Sequence, residues 1–250
     1  MELPKPPVAD WAKVYDEPRR GLPVEAWRVH LRDEEQKQMQ AAYYGCINHI
    51  DNQIGRILRF LPNNTVVIIV SDHGEMLGDH QWIPKRRAFE GSASIPFLMR
   101  FPTGMHIPQG RVSDEPVELM DIMPTLLDIA GAPIPDSVDG ISLMPYVRGE
   151  ADSVRDVLHG ECSAIPTANT GQQFLTNGHW KFIWHPGEGR EFFFDLDEDP
   201  NEMRNLAADP SVAGTVTECR ERLVRILRDR PEGFTDGSKL LKLEGETGPC

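Results

Sequence analysis

TVVIIVSDHGEMLGDHQWIPK, Thr65–Lys85, is the stretch that decides the fold class. Five consecutive β-branched residues, Val66, Val67, Ile68, Ile69 and Val70, read as a strand buried on both faces. The run stops at Ser71-Asp72-His73-Gly74, so an acid and an imidazole sit side by side just past the carboxyl end of a buried strand. Active sites of open α/β sheets form at that place. Asp72 and His73 offer one hard oxygen and one nitrogen donor, half of a divalent-metal site.

Upstream, residues 1–32 are rich in proline and charge, with Trp11, Tyr15 and Trp27 as isolated anchors, and read as an extended segment lying over something else. Asp33 has the character of an N-cap, with Gln36 completing a capping-box pattern. Met39, Tyr43, Cys46, Ile50, Ile54, Ile57 and Leu61 then recur at steps of three and four, one apolar stripe on a long helix that Pro62-Asn63-Asn64 ends. Downstream, Gly74–Gly91 has no period and reads as an active-site loop. Ile95–Phe101 is a second apolar strand. Pro124–Ile129 is a short helix with Gly131 as its stop. Past residue 150 the texture changes. Val157–Glu161, Gln173–Thr176, Trp180–Trp184 and Phe192–Leu196 are short strands, and Val212–Leu227 is a helix, which together suggest a small α+β unit with an antiparallel sheet. The domain expectation is therefore 1–150 and 151–250.

The chain has 250 residues, 40% apolar and 26% charged, as an ordinary globular protein does. Its net charge of −13 argues against nonspecific nucleic-acid binding and against docking on anionic lipid, because both need basic patches. No apolar run reaches the roughly 20 residues that span a bilayer, and residues 1–11 lack the apolar core of a secretion signal. Cys46, Cys162, Cys219 and Cys250 are scattered without metal-site spacing and read as free thiols.

AAYYGCINHIDNQIGRIL, VVIIVSDHGEMLGDH, Lys85, FEGSASIPFLMRFP, VELMDIMPTLLDIAGAPIPDSVDGISL, HWKFIW and FFFDLDEDPNEMRNLA occur here in the order in which the sulfatase family carries such segments. Over roughly residues 1–225 the chain resembles that family, within the alkaline-phosphatase-like superfamily. The resemblance implies an α/β fold: the C-terminal part of an alkaline-phosphatase-like sandwich with a mainly parallel sheet, plus the small antiparallel unit. It implies hydrolysis of sulfate esters at a divalent metal, calcium in the first place, with magnesium or manganese as alternatives. Asp72 and His73 match the family's second pair of ligands. Lys85, twelve residues after His73, matches the lysine that contacts the sulfuryl oxygens. His80, in the same loop, is assigned a supporting or substrate-facing role. The implied partner is a small or carbohydrate sulfate ester.

The residue types fit that chemistry. A sulfate monoester gathers negative charge on its oxygens as the S–O bond breaks, and a metal with a fixed ammonium aimed there stabilises that charge. The family's formylglycine nucleophile arises from the first residue of Cys/Ser-x-Pro-x-Arg, and none of the cysteines begins such a motif. Ser94-Ile95-Pro96-Phe97-Leu98 lacks the arginine, and apolar flanks make Ser94 a strand residue. No aspartate before Asp72 follows a buried β run. The expectation is that Met1 falls inside the family's proline-rich middle segment, with the nucleophile, the first two ligands and a further histidine before residue 1. By itself this chain would then be inactive. The alternatives are a phosphonate or phosphodiester hydrolase of the same superfamily and a non-catalytic truncated protein. A sheet so truncated would expose an apolar face and favour self-association.

Other residues carry plainer expectations. Glu75 is an exposed loop acid or a partner of Arg86 or Arg87, and Glu90 braces the loop. His179, Lys181 and His185 lie on a solvated strand face, Trp180 and Trp184 anchor the core, and Asp195–Asp199 forms a turn.

Overall fold

The computed structural model describes residues 3–16, 28–162 and 171–244. The expectations for Trp27 and Cys250 lie outside the described residues. Packing groups the chain into two units, one holding residues up to Met105 together with Asn201–Asn205, the other holding His106–Pro200 and the residues from Leu206 on.

In the first unit a 3-10 turn spans Asp10–Asp16, where the sequence suggested only extended chain. Helix α1 (Asp33–Leu58) follows. Its N-cap is Arg32, one residue earlier than expected. Glu35, not Gln36, closes the box: its carboxylate accepts the Arg32 backbone N–H at 3.0 Å and the guanidinium at 2.6 Å. Asp33, Glu34 and Glu35 crowd the first turn, where the helix dipole favours negative charge. Gln36 turns to the loop instead, donating from Nε2 to the Leu77 carbonyl at 2.5 Å.

Strand β1 (Val67–Val70) pairs with β2 (Phe97–Arg100) in an antiparallel ladder, Val67 opposite Arg100 and Val70 opposite Phe97. Here the expectations of a parallel sheet and of a strand buried on both faces do not hold. Both sheets among the described residues are antiparallel, and β1 is only half-buried along its length because β2 is its one ladder partner. The helix stripe is likewise half covered. Tyr43 and Ile54 are partly buried, while Ile50 is 56% and Ile57 59% exposed. Between the strands lies the short helix α2 (Glu90–Ala93). Ser94 caps its end and is exposed, so it precedes the strand rather than lying in it.

The second unit is built on a four-stranded antiparallel meander: β3 (Leu158–Cys162), β4 (Gln172–Thr176), β5 (Trp180–His185) and β6 (Arg190–Asp195), in that order. Helices α3 (Ile122–Ile129) and α4 (Met144–Arg148) precede it, and α5 (Ala213–Ile226) follows. One sheet face, with Leu175, Phe182, Trp184 and Phe193, buries against Val216, Cys219, Leu223 and Leu227. Trp180 stacks on Phe193 at 5.8 Å and Trp184 meets Phe234 edge-on at 5.9 Å, the anchoring that spacing suggested. The opposite face corrects an expectation. Lys181 and His185 are 1% and 7% exposed, and of that trio His179 alone is in solvent.

Packing and composition divide the chain at different places. The texture changes near residue 150, yet residues 106–150 group with the meander. Arg155 explains the tie: it forms a two-pronged ion pair with the fully buried Asp121, at 2.6 and 2.8 Å. The class as a whole is mixed α/β.

Candidate active site

Strand β1 delivers its carboxyl end into a tight turn. Ser71 Oγ donates to the His73 carbonyl at 2.6 Å, and the His73 backbone N–H donates to Asp72 Oδ1 at 3.1 Å. The His73 ring lies 2.7 Å from the Gly74 carbonyl through Nδ1. A carbonyl only accepts, so Nδ1 carries a proton and donates. That leaves Nε2, which faces Asp72 Oδ2 at 3.4 Å. The Asp72 side chain is 84% exposed and that of His73 35% exposed, so both donors are open to solvent.

Gly74 is required next to them. Its N–H donates to the Ser92 carbonyl at 2.8 Å, and a Cβ there would lie 2.3 Å from the Gly91 carbonyl oxygen. Only a residue without a side chain lets α2 approach the strand end so closely.

The loop that follows is strained. Leu77, His80, Gln81 and Arg86 all have left-handed φ, from 49° to 81°. Such conformations cost of order 1–3 kcal/mol each and persist where the surroundings over-determine them. Here those surroundings come from the chain's beginning. The His80 backbone N–H donates to the Pro7 carbonyl at 2.6 Å, and the Val29 N–H donates to the Gln81 carbonyl at 2.8 Å. Arg28 is 3% exposed and donates to the His80 carbonyl, to Gln81 Oε1 at 2.7 Å and to Asp16 Oδ1 at 2.6 Å.

His80 itself is 2% exposed. The Ala9 N–H donates to its Nδ1 at 3.2 Å, and its ring packs 4.7 Å from Trp11 and 5.7 Å from Phe89. The His80 ring is thus enclosed by the chain's beginning and by Phe89. Lys85 is exposed and has no hydrogen-bond or ion-pair partner among the described residues. The structure thus brings Asp72 and His73 together, turns His80 into an aromatic cluster and leaves Lys85 exposed on the bend that precedes Arg87.

Glu75 is half-buried rather than exposed, and its Oε1 is buried without a hydrogen-bond partner among the described residues. Burial holds the Asp79 carboxyl well above the ordinary range, at about 6. Two residues escaped sequence reasoning. Glu202 is 2% exposed; it accepts the Trp11 indole N–H on its carbonyl at 2.8 Å and the Glu90 N–H on its carboxylate at 2.8 Å. Arg28 lies in a stretch with no periodicity. The one local signal for Glu202 was an acid between Asn201 and Met203, just past the Asp195–Asp199 turn.

The donor chemistry fits half of a divalent-metal site. A ligating histidine characteristically donates its other ring N–H to a carbonyl or carboxylate, as His73 does to Gly74. Among the described residues no third His, Cys, Asp or Glu joins the pair.

Two family profiles match. N-sulphoglucosamine sulphohydrolase, C-terminal, matches residues 78–229, and Sulfatase matches residues 10–132. An arylsulfatase of Clostridium perfringens is 42% identical over 96% of this chain and 51% of its own length, so the chain spans about half of that relative. The solved phosphonate monoester hydrolase of Agrobacterium radiobacter is 27% identical, with a TM-score of 0.69 over 88% of this chain and 47% of that one. A solved 2-O GAG sulfatase shares the fold, with 23% identity and a TM-score of 0.73 over 88% of this chain and 52% of that one.

Proposed function

This chain belongs to the sulfatase family, and from that premise we propose that it supplies part of a metal-dependent active site that hydrolyses sulfate esters. The observation that carries the proposal is the convergence of His73 Nε2 and Asp72 Oδ2 at 3.4 Å, with Nδ1 tied back to Gly74. Asp72 and His73 hold the divalent ion, calcium in the first place. When bound, it offers a positive charge to the ester's oxygens. The Gly74 carbonyl keeps the imidazole in the tautomer whose Nε2 lone pair is available. Lys85 brings an ammonium to the sulfuryl oxygens, where a point charge on a flexible stem can follow the charge as it moves. His80 shapes the loop between the ligands and the lysine. The substrate is a small or carbohydrate sulfate ester.

No Cys/Ser-x-Pro-x-Arg occurs within the 250 residues, so no formylglycine is encoded in them. These residues alone therefore hold and orient an ester without a covalent route. With added calcium, the 250-residue chain is expected to desulfate 4-nitrophenyl sulfate no faster than its Lys85→Ala variant. A chimera in which this chain replaces the matching part of the Clostridium perfringens arylsulfatase is expected to turn it over, and to lose that turnover in Asp72→Asn and in Lys85→Ala. A chimera indifferent to both substitutions would sink the assignment.

A second reading has its own support, the likeness to a phosphonate monoester hydrolase at 27% identity. A nitrophenyl phosphodiester run beside the sulfate in the chimera assay separates the two. Preference for the phosphodiester transfers the reaction class and leaves the roles of Asp72, His73 and Lys85 in place.

A further inference from the structure

Lys85 sits on a turn whose two ends meet through a pair of buried side chains. The Arg87 guanidinium lies over the Trp82 ring, 4.7 Å from its centroid. Trp82 is 1% exposed and Arg87 8% exposed. Arg28 reaches the same ring at 5.1 Å, Phe89 stacks on it at 5.7 Å, and Tyr15 meets it edge-on at 5.0 Å. The backbone at this end is pinned as well. The Gly78 N–H donates to the Trp82 carbonyl at 2.8 Å, and the Leu77 N–H donates to the Ile83 carbonyl at 3.1 Å. Between Trp82 and Arg87 the chain runs through Ile83, Pro84, Lys85 and Arg86. Lys85 and Arg86 are exposed, and Arg86 turns the backbone with a φ of 81°.

A lysine side chain has several rotatable bonds, and no described residue holds this one by its ammonium. The protein can therefore aim it only by fixing where its backbone stands. We infer that Trp82 and Arg87 form a clasp that fixes the Lys85 turn, and that both are positioning residues for Lys85, an inference resting on Lys85 as the group that meets the ester's oxygens. Guanidinium stacking on a desolvated indole is among the stronger cation–π arrangements. Neither residue needs to touch substrate. Arg87 is not replaceable by a lysine here, because a compact ammonium lacks the planar face that stacks.

Two measurements on the 250-residue chain test this. The first is limited digestion with trypsin, followed at the bond after Lys85, since a protease needs a segment that can open. The second is titration with inorganic sulfate, followed by NMR of lysine side-chain signals, with Lys85 assigned through Lys85→Arg. Trp82→Ala and Arg87→Ala are expected to raise the cleavage rate at least about tenfold and to weaken the sulfate response of Lys85 about threefold, while Trp82→Phe stays near the parent in both. An Ala variant that keeps its thermal midpoint and is cut at the parent rate overturns the clasp. If the Ala variants do not fold, Arg87→Lys is read in their place: faster cleavage supports the clasp and the parent rate overturns it. Cleavage that rises while sulfate leaves Lys85 unmoved in the parent supports the clasp and strikes the ester-contact role instead.

Discussion

His73 Nε2 and Asp72 Oδ2 face each other across 3.4 Å, with the opposite ring nitrogen of His73 already committed to the Gly74 carbonyl. In the neutral ring, Nε2 presents a lone pair to a carboxylate oxygen that has no proton to give. Two acceptors at that distance repel unless a positive charge lies between them, and a proton or a metal ion serves.

The first prediction is that calcium raises the thermal midpoint of this chain at millimolar concentrations. Binding at ten times Kd stabilises by about 1.4 kcal/mol, roughly 3–6 °C for a chain of this size. Asp72→Asn and His73→Ala should each abolish the shift. A calcium response that survives both would place the ion elsewhere.

Asp79 sets a pH dependence whose sign can be worked out. Its carboxyl is pushed up to about 6 by burial, from the usual 3.8. The native state therefore keeps a proton that the unfolded chain releases between about pH 4 and pH 6, and stability contributed at low pH is lost as pH rises through about 6. Asp79→Asn, which mimics the protonated acid, should be more stable than the parent at pH 7 by about 1–3 kcal/mol and equal to it near pH 4. Thermal melts at the two pH values check this; a variant that gains as much at pH 4 as at pH 7 contradicts it.

Asp121 should be among the costliest side chains to remove. It is fully buried, accepts the Glu118 and Ile141 N–H groups at 2.9 Å each, and pairs with Arg155, whose side chain is 8% exposed. Asp121→Ala leaves that guanidinium with the longer contact to the Glu118 carboxylate at 3.4 Å and the Pro116 carbonyl at 2.9 Å, and removing one partner of a buried pair typically costs about 3–5 kcal/mol. A midpoint drop of roughly 10 °C is expected. A change within a degree or two would mean that the pair contributes nothing.

The cysteines should separate by reactivity. Cys46 is exposed on α1, whereas burial pushes the Cys219 thiol up to about 12. At pH 8 in native buffer, peptide mapping after iodoacetamide should find Cys46 alkylated at least about 100-fold faster than Cys219, because the thiolate is the reacting species. Comparable rates would contradict the burial of Cys219 against the sheet.

Much of the architecture was legible residue by residue. Leu158–Cys162, Gln172–Thr176, Trp180–His185, Arg190–Asp195 and Ala213–Ile226 fall within two residues of the strand-like runs and the helix read from the sequence. These signals are local, since alternation and a 3.6-residue repeat reflect which side of one element is dry. The burial of β1 was misjudged for the same reason. A β-branched run says that a strand forms, while the number of its neighbours depends on what else packs against it. Lys181 and His185 were misplaced because polar alternation ordinarily marks a wet face, and here the second face of β5 is buried too.

What the amino-acid sequence determined by itself was the set of elements and the donors at the end of β1: Asp72 and His73 stand together because they are covalent neighbours past a strand. Tertiary structure alone decided how the rest of the loop is held. His80 is oriented by Ala9, 71 residues away, and Trp11 reaches Glu202, 191 residues away. No periodicity encodes such pairs. Their geometry is fixed only when separate segments are buried together, and each buried donor or acceptor must then find whatever partner the fold has brought near.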